Sequence, residues 1–137
     1  MAKILVTGGA GFIGYHLSKR LAEEGHKVTI CDNLSRGRLD KDLKTLLERY
    51  SNCELINCDL TNKNELAKLG GGYDRVYHFA AIVGVVYANK MPEKVLKTNV
   101  LSAVNILDWF VESKSKRMLL SSTSEVYAGS TDYHDFP

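Results

Sequence analysis

Residues 7–14 read Thr7-Gly8-Gly9-Ala10-Gly11-Phe12-Ile13-Gly14, and this stretch decides the fold of the 137-residue chain. A short apolar run, residues 2–6, precedes it, and a helical pattern follows in which Ile13, Leu17 and Leu21 are spaced four apart. A strand that leads through a glycine turn into a helix is the order that a dinucleotide site requires. The backbone N–H groups and the dipole of the helix start favour the negative charge of a diphosphate there.

Each glycine of the turn has an expected task. Gly8 lets the chain turn sharply off the strand, Gly11 lets the backbone approach a diphosphate, and Gly14 lets the helix pack tightly on the sheet. The spacing fits G-x-G-x-x-G from Gly9 and G-x-x-G-x-x-G from Gly8. A P-loop is excluded because no Gly-Lys-Ser/Thr follows.

A second apolar run, residues 28–31, ends at Asp32. A carboxylate at the tip of the second strand can accept hydrogen bonds from both hydroxyl groups of an adenosine ribose. The same charge repels a 2′-phosphate, so the pattern favours NAD over NADP. The alternative is a tight turn followed by an ordinary surface aspartate.

Composition indicates an ordinary globular domain, because 45% of the residues are hydrophobic and 25% are charged. A net charge of +2 gives no reason to expect a nucleic acid partner. No apolar run is long enough for a membrane span and no signal peptide is visible, so we expect a cytoplasmic protein. Cys31, Cys53 and Cys58 lack metal-ligand spacing, so we expect free thiols and no metal site.

Strands and helices alternate along the chain, which predicts an α/β fold with a doubly wound parallel sheet. Right-handed crossovers predict the strand order 3-2-1-4-5 of a Rossmann fold. The carboxyl ends of these strands bring a set of candidate residues to one edge of the sheet: Gly8, Asp32, Asp59, Ala80 and Thr123. The predicted strands are 2–6, 28–31, 53–57, 74–81 and 116–121, and the predicted helices after the first are 39–50, 62–69 and 92–113, with Thr61 as an N-cap.

Three positions allow two interpretations each. Asp59 is either a turn residue or an acceptor for the adenine amino group. His78 is either a packed strand histidine, as its apolar neighbours favour, or a catalytic group. The apolar loop 82–90 either lines a ligand cleft or is covered by another domain.

The long helix 92–113 is apolar on two sides. We expect its main stripe to face the sheet; this stripe comprises Leu96, Val100, Ala103, Val104, Leu107, Phe110 and Val111. The narrower stripe of Val95, Ile106 and Trp109 is then left for a missing helix or a second subunit. This pattern predicts a homodimer through the 92–113 helix.

Taken together, these motifs resemble the extended short-chain dehydrogenase/reductases that act on nucleotide sugars: epimerases, 4,6-dehydratases and decarboxylases. The matching stretches span nearly the whole chain in the order of the family. They are residues 7–14, Asp32-Asn33-Leu34-Ser35, Asp59-Leu60, His78-Phe79-Ala80-Ala81, Thr98-Asn99-Val100 and Ser122-Thr123-Ser124-Glu125-Val126-Tyr127.

The resemblance implies a role in cofactor binding for each stretch. Phe12 and Ile13 would offer backbone amides to the diphosphate of NAD. Asp32 and Asn33 would hold the adenosine ribose, and Asp59 and Leu60 would hold the adenine. Phe79, Ala80 and Ala81 would line the nicotinamide-ribose channel, and Asn99 would support that segment.

The resemblance also implies the chemistry. Thr123 would hydrogen-bond the sugar hydroxyl that is oxidised, as hydride moves from the sugar C4 carbon to NAD and later returns. Glu125 would transfer a proton; the alternative is a solvated turn residue. Ser124 stands where the dehydratases have an aspartic acid, so the Thr-Ser-Glu-Val-Tyr run is closer to the UDP-glucuronate decarboxylase and epimerase branches.

In the family that the chain resembles, the catalytic base is the tyrosine of a Tyr-x-x-x-Lys motif on a helix after the fifth strand. The chain departs from the family in lacking this motif, since no lysine follows Lys116. We therefore interpret residues 1–137 as an incomplete NAD-binding Rossmann domain of a longer enzyme, inactive by itself, whose full-length form acts on a nucleotide sugar. A non-catalytic NAD-binding module or scaffold is the alternative. A third interpretation is a different Rossmann ligand, such as NADP or a methyl donor.

Overall fold

The computed structural model describes residues 1–123 and residue 126. Within them, five parallel strands form one sheet in the order β3-β2-β1-β4-β5, which confirms the predicted order. The strands are β1 (Lys3–Thr7), β2 (Lys27–Asp32), β3 (Cys53–Asn57), β4 (Arg75–His78) and β5 (Met118–Leu120). The fourth and fifth strands are shorter than expected: residues 79–81 continue the apolar run beyond β4, whereas Lys116, Arg117 and Ser121 flank β5 as polar residues.

Helices cover both faces of this sheet. They are α1 (Phe12–Glu23), α2 (Lys41–Arg49), a 3₁₀ helix (Lys63–Leu69), α3 (Val85–Lys90) and α4 (Pro92–Glu112). Asp40 caps α2 by accepting a hydrogen bond from the Leu43 N–H at 2.9 Å. The expectation that Thr61 caps the third helix is wrong: Asn62 is the cap and accepts from the Asn64 N–H, while Thr61 bonds back to Asp59.

Successive residues of β1 enter two separate cores, as the alternation of a strand requires. Ile4 and Val6 pack on the side of α1 and α2, whereas Leu5 packs on the side of α4 and the 3₁₀ helix. Both sets are fully buried, which explains why the strands read as continuous apolar runs. On α1 the buried face is Gly14, Ser18, Leu21 and Ala22, so the expected stripe is shifted and Ile13 is 65% exposed.

Helix α4 presents to the sheet the face opposite to the one expected. Its buried residues are Ser102, Asn105, Ile106 and Trp109, whereas five of the seven expected residues are exposed: Leu96, Val100, Val104, Leu107 and Val111. The other two, Ala103 and Phe110, are half-buried, and Phe110 packs against the core. The inward polar side chains are satisfied by carbonyl groups: Asn105 bonds Leu60 and the Trp109 indole bonds Gly70. The wide apolar stripe is therefore the outer surface of α4.

The segment 82–90 is also more regular than expected. It contains α3, which begins after Gly84 at φ +110°. Its apolar side chains Val83, Val85 and Val86 are exposed, by 62%, 72% and 61%. In the part of the chain that the structure describes, no helix combines the length and the apolar character that a membrane crossing requires.

Candidate functional site

The turn between β1 and α1 is packed so closely that three of its glycines, Gly8, Gly9 and Gly14, have no room for a side chain. Gly8 has φ +68°, and a Cβ there would lie 2.7 Å from the backbone nitrogen of Ala80. A Cβ on Gly14 would meet the carbonyl oxygen of Gly8. The Gly8 N–H donates to the Cys31 carbonyl at 2.8 Å, so the turn is fixed against β2 as well as β4.

The start of α1 lies open at the carboxyl edge of the sheet. Gly11 is its N-cap residue and, as a glycine, offers no side chain to cap the helix. Phe12 and Ile13 follow, 82% and 65% exposed. The first amides of any helix lack intrahelical acceptors, so this tip fits a diphosphate.

Asp32 at the end of β2 is tied directly to that turn. Its Oδ2 accepts from the Ala10 N–H at 3.1 Å, and its Oδ1 accepts from the Leu34 N–H at 2.8 Å. A carboxylate has about four acceptor positions, so capacity for two ribose hydroxyl groups remains. Asn33 beside it is exposed, and its Oδ1 accepts from the Ser35 N–H.

Asp59 follows β3 and makes the turn that its position favours. Its Oδ1 accepts from both the backbone N–H and the hydroxyl of Thr61, at 2.9 and 2.8 Å. Burial opposes ionisation, but these bonds and one from the Asn33 side chain outweigh it and hold the pKa of Asp59 below its usual value. Leu60, the next residue, is buried.

His78 ends β4 as the buried strand histidine that its neighbours predict. Its Nδ1 lies 2.7 Å from the Thr7 hydroxyl, whose oxygen also accepts from the Ala80 N–H at 3.3 Å. A hydroxyl can donate one bond and accept two, so the tautomer of His78 sets which of the two atoms is the donor. Burial lowers the pKa of His78 to about 4, so the ring is neutral at physiological pH.

The segment after β4 is held from α4. Ile82 exchanges two hydrogen bonds with the Asn99 side-chain amide, N–H to Oδ1 at 2.7 Å and Nδ2 to carbonyl at 3.0 Å. Phe79 and Ala80 just before it are half-buried, and Ala81 is exposed. Asn99, to which the resemblance assigns the support of the nicotinamide-ribose segment, thus contacts the residue directly after that segment.

Of the two predicted catalytic residues, Thr123 is exposed and follows β5, and its carbonyl accepts from the Val126 N–H at 3.4 Å. Glu125 lies outside the described residues, as do Ser124 and Tyr127. The structure therefore brings the residues predicted to bind the cofactor at the ends of β1 to β4 to one edge of the sheet, while their roles and that of Glu125 stay predictions.

Two neighbouring side chains escaped the sequence analysis. Arg36 donates to the Val83 carbonyl at 3.0 Å and lies over the Tyr87 ring at 4.6 Å, which joins the segment after β2 to α3. Asn105 donates to the Leu60 carbonyl at 2.9 Å. For Asn105, the one signal in the sequence was its place between the apolar stripes of the long helix. Nothing in the sequence indicated its partner.

The last kind of site to consider is a metal site. No group of three or more His, Cys, Asp and Glu side chains there is placed to hold a metal ion. Cys31, Cys53 and Cys58 are free and buried.

The chain is similar in sequence to known proteins. Residues 4–136 match the profile of the NAD dependent epimerase/dehydratase family. The chain is 38% identical over 129 residues to UDP-N-acetyl-alpha-D-glucosaminuronate decarboxylase of Bacillus cytotoxicus, covering 94% of this chain and 39% of that protein.

Solved structures agree. The UDP-N-acetylglucosamine 4-epimerase of Methanobrevibacter ruminantium matches with a TM-score of 0.84 at 30% identity, covering 98% of this chain and 42% of that one. A UDP-glucose-4-epimerase of Stenotrophomonas maltophila, solved with bound NAD and a formylated UDP-arabinopyranose, gives a TM-score of 0.83 at 27% identity, covering 93% and 38%.

The chain thus spans about two fifths of the length of these relatives. Its profile match covers nearly every residue, and the cofactor of the matched family is NAD. The fold, the glycine turn and the carboxylate on β2 agree with that match. This chain belongs to the NAD-dependent epimerase/dehydratase family.

Proposed function

We propose that this chain is the NAD-binding part of an enzyme that epimerises, decarboxylates or dehydrates a nucleotide sugar through transient oxidation at C4. One observation carries the proposal: the uncapped tip of α1 lies beside a carboxylate that bonds the same glycine turn through Ala10. These two features meet the two parts of an adenosine diphosphate, its phosphates and its ribose.

The residues at the carboxyl edge divide the cofactor between them. The amides of Phe12 and Ile13 bind the diphosphate, and the Asp32 and Asn33 side chains bind the adenosine ribose. Asp59 and Leu60 hold the adenine, and residues 79–81 line the nicotinamide riboside, with Asn99 fixing the segment behind them. When bound, NAD supplies a hydride acceptor that returns the hydride later in the cycle.

Thr123 follows β5, beside the strand that leads to residues 79–81. In our proposal its hydroxyl bonds the sugar hydroxyl at C4, and Glu125 moves a proton at the neighbouring carbon. A ketone at C4 makes the C–H bond of that carbon acidic, or allows a carboxylate on that carbon to leave as CO2 while the electron pair of the broken C–C bond passes into the enolate. Ser124 cannot serve as the acid that a dehydratase needs, which favours decarboxylation or epimerisation.

Selection of the sugar requires protein beyond these residues in our proposal, because the relatives are more than twice as long as the matched region. We expect the 137-residue chain to bind NAD and to leave UDP-sugars unconverted. Turnover by this chain alone would contradict the assignment of the catalytic base to a Tyr-x-x-x-Lys helix.

The outer stripe of α4, defined as Leu96, Val100, Val104, Leu107 and Val111, supports a homodimer. Its five side chains lie on one face of a helix of 21 residues and are 44% to 79% exposed. A continuous apolar face of this kind marks an interaction surface. We propose that a second copy of the chain covers it through the same helix.

The cofactor site is tested at Asp32. Asp32→Ala removes the acceptor for the ribose hydroxyl groups and the charge that repels a 2′-phosphate. We expect the Kd for NAD to rise about 10- to 100-fold, since hydrogen bonds to charged groups contribute about 1.5–3 kcal/mol. The ratio of the NAD to the NADP affinity should fall, as measured by calorimetric titration.

Glu48→Ala is the matched control. Glu48 is an exposed carboxylate near the end of α2, towards the opposite edge of the sheet, and its loss should leave both affinities unchanged. An unchanged NAD affinity in Asp32→Ala would refute the assignment of Asp32.

A further inference from the structure

Helix α4 reaches the adenine side of the proposed cofactor site through one buried amide. Asn105 is 6% exposed and lies next to Ile106, which is fully buried. Its Nδ2 donates to the carbonyl of Leu60 at 2.9 Å, across 45 residues of sequence. A buried asparagine in this position is fixed by packing and by its hydrogen bond together.

The bond from Asn105 fixes one end of a planar peptide group, and Asp59 fixes the other. The carbonyl of Leu60 and the N–H of Thr61 belong to the same peptide plane. That N–H donates to the Asp59 Oδ1 at 2.9 Å. The orientation of the Asp59 carboxylate is thereby coupled to the position of the Asn105 amide.

The remaining contacts of this segment come from its immediate neighbourhood. The Cys58 N–H donates to the Asp32 carbonyl at 3.2 Å in the sheet. The Asp59 N–H donates to the Glu65 Oε2 at 3.1 Å in the following 3₁₀ helix. These bonds hold the backbone before Leu60. After it, the Asn62 N–H donates to the Asp59 carbonyl at 3.0 Å and closes a turn, and Asn105 holds the Leu60–Thr61 peptide of that turn from α4.

We propose that Asn105 is a positioning residue for base recognition, a role that rests on the proposed binding of NAD. Asn105 holds the Leu60 peptide so that Asp59 Oδ1 is engaged by Thr61 and Oδ2 is directed at the 6-amino group of the adenine. The chain then selects adenine over a base that carries oxygen at the same position, because that oxygen would face the carboxylate.

The test compares NAD with nicotinamide hypoxanthine dinucleotide, in which oxygen replaces the 6-amino group. The unaltered 137-residue chain should bind NAD more tightly than this analogue. In Asn105→Ala the NAD affinity should fall about tenfold, the equivalent of one lost hydrogen bond. The ratio of the two affinities should approach one, and Asn105→Leu, which keeps the branched side chain without the donor, should behave alike.

Asn52→Ala is the matched control. The Asn52 amide also donates to backbone carbonyls, those of Ala22 and His26 at 3.0 and 2.7 Å, but at the amino edge of the sheet. Its loss should lower the unfolding temperature and leave the ratio of affinities unchanged.

Each result decides the matter. A ratio that persists in a folded Asn105→Ala or Asn105→Leu chain overturns the inference, and so does a ratio that falls equally in Asn52→Ala. Equal binding of both dinucleotides by the unaltered chain overturns it while leaving NAD binding intact. Failure of the unaltered chain to bind NAD overturns the proposed function itself.

Discussion

At the scale of single residues, Gly8 combines two constraints that can be separated. It has φ +68°, and a Cβ would lie 2.7 Å from the Ala80 backbone nitrogen, whereas Gly25 has φ +78° with nothing within 4 Å. Gly25→Ala should therefore cost about 1 kcal/mol of unfolding free energy for its backbone conformation alone. Gly8→Ala should cost about 2–4 kcal/mol, because the turn must also move.

Urea unfolding of both variants measures these costs, and NAD titration adds a second readout. The affinity should fall in Gly8→Ala and stay unchanged in Gly25→Ala. Equal losses of stability, with NAD binding retained in both, would show that the contact between the turn and β4 is unimportant.

His78 makes stability depend on pH. Burial lowers its pKa to about 4, so at pH values between 4 and the unfolded value of about 6.5 the unfolded chain binds a proton that the folded chain does not. Stability should thus fall as the pH drops through this window, by at most about 1.4 kcal/mol per pH unit, and level off below it.

The measurement is the free energy of unfolding at pH 7 and pH 5. His78→Asn should reduce the difference between the two values by about 1–2 kcal/mol, because the titrating group is gone. His16→Asn, at an exposed position on α1, is the control and should retain the full difference. A His78→Asn chain with the unaltered pH dependence would refute this account.

The sequence could predict the burial of His78, since its neighbours are apolar. The bond to Thr7 was beyond it, because that contact depends on the register in which Thr7 and His78 are paired between β1 and β4. The same holds for Ala10 and Asp32, which meet only after β1 and β2 align. The sequence shows which residue types are present, but their hydrogen-bond partners depend on how the strands are arranged in the sheet.

At the scale of elements, α4 shows where periodicity misleads. Counting apolar residues assigned the wide stripe to the sheet, yet the buried face contains Ser102 and Asn105. Both are satisfied, by the carbonyls of Asn99 and Leu60, so their burial costs little. Hydrophobicity alone cannot distinguish a face that packs on the sheet from one reserved for another surface.

Helix α3 escaped prediction for a different reason. Its six residues, Val85–Lys90, are too few to show a helical period, and all of them are exposed. The apolar character that suggested a lined cleft is retained at its surface. The composition of the segment therefore predicted an apolar surface, but it did not predict a helix.

At the scale of the whole molecule, the strand order was predictable because alternating strands and helices with right-handed crossovers leave few arrangements. The carboxyl edge then follows, and with it the neighbourhood of the glycine turn, Asp32 and Asp59. The surface of α4 was not predictable, since its packing depends on what lies outside the described sheet.

The proposed homodimer is tested on that surface. Val104→Glu places a charge in the middle of the outer stripe of α4, where Val104 is 48% exposed. Burial of such a side chain contributes about 1.5–3 kcal/mol, and a two-fold interface contains each position twice. We expect the dimer to dissociate at concentrations at least about tenfold higher than before, as measured by sedimentation velocity.

Leu39→Glu is the control for this prediction. It changes a side chain of similar exposure (42%) before α2 and should leave association unchanged. A chain that stays monomeric at every concentration, or a Leu39→Glu chain that dissociates as readily, would contradict the proposed interface.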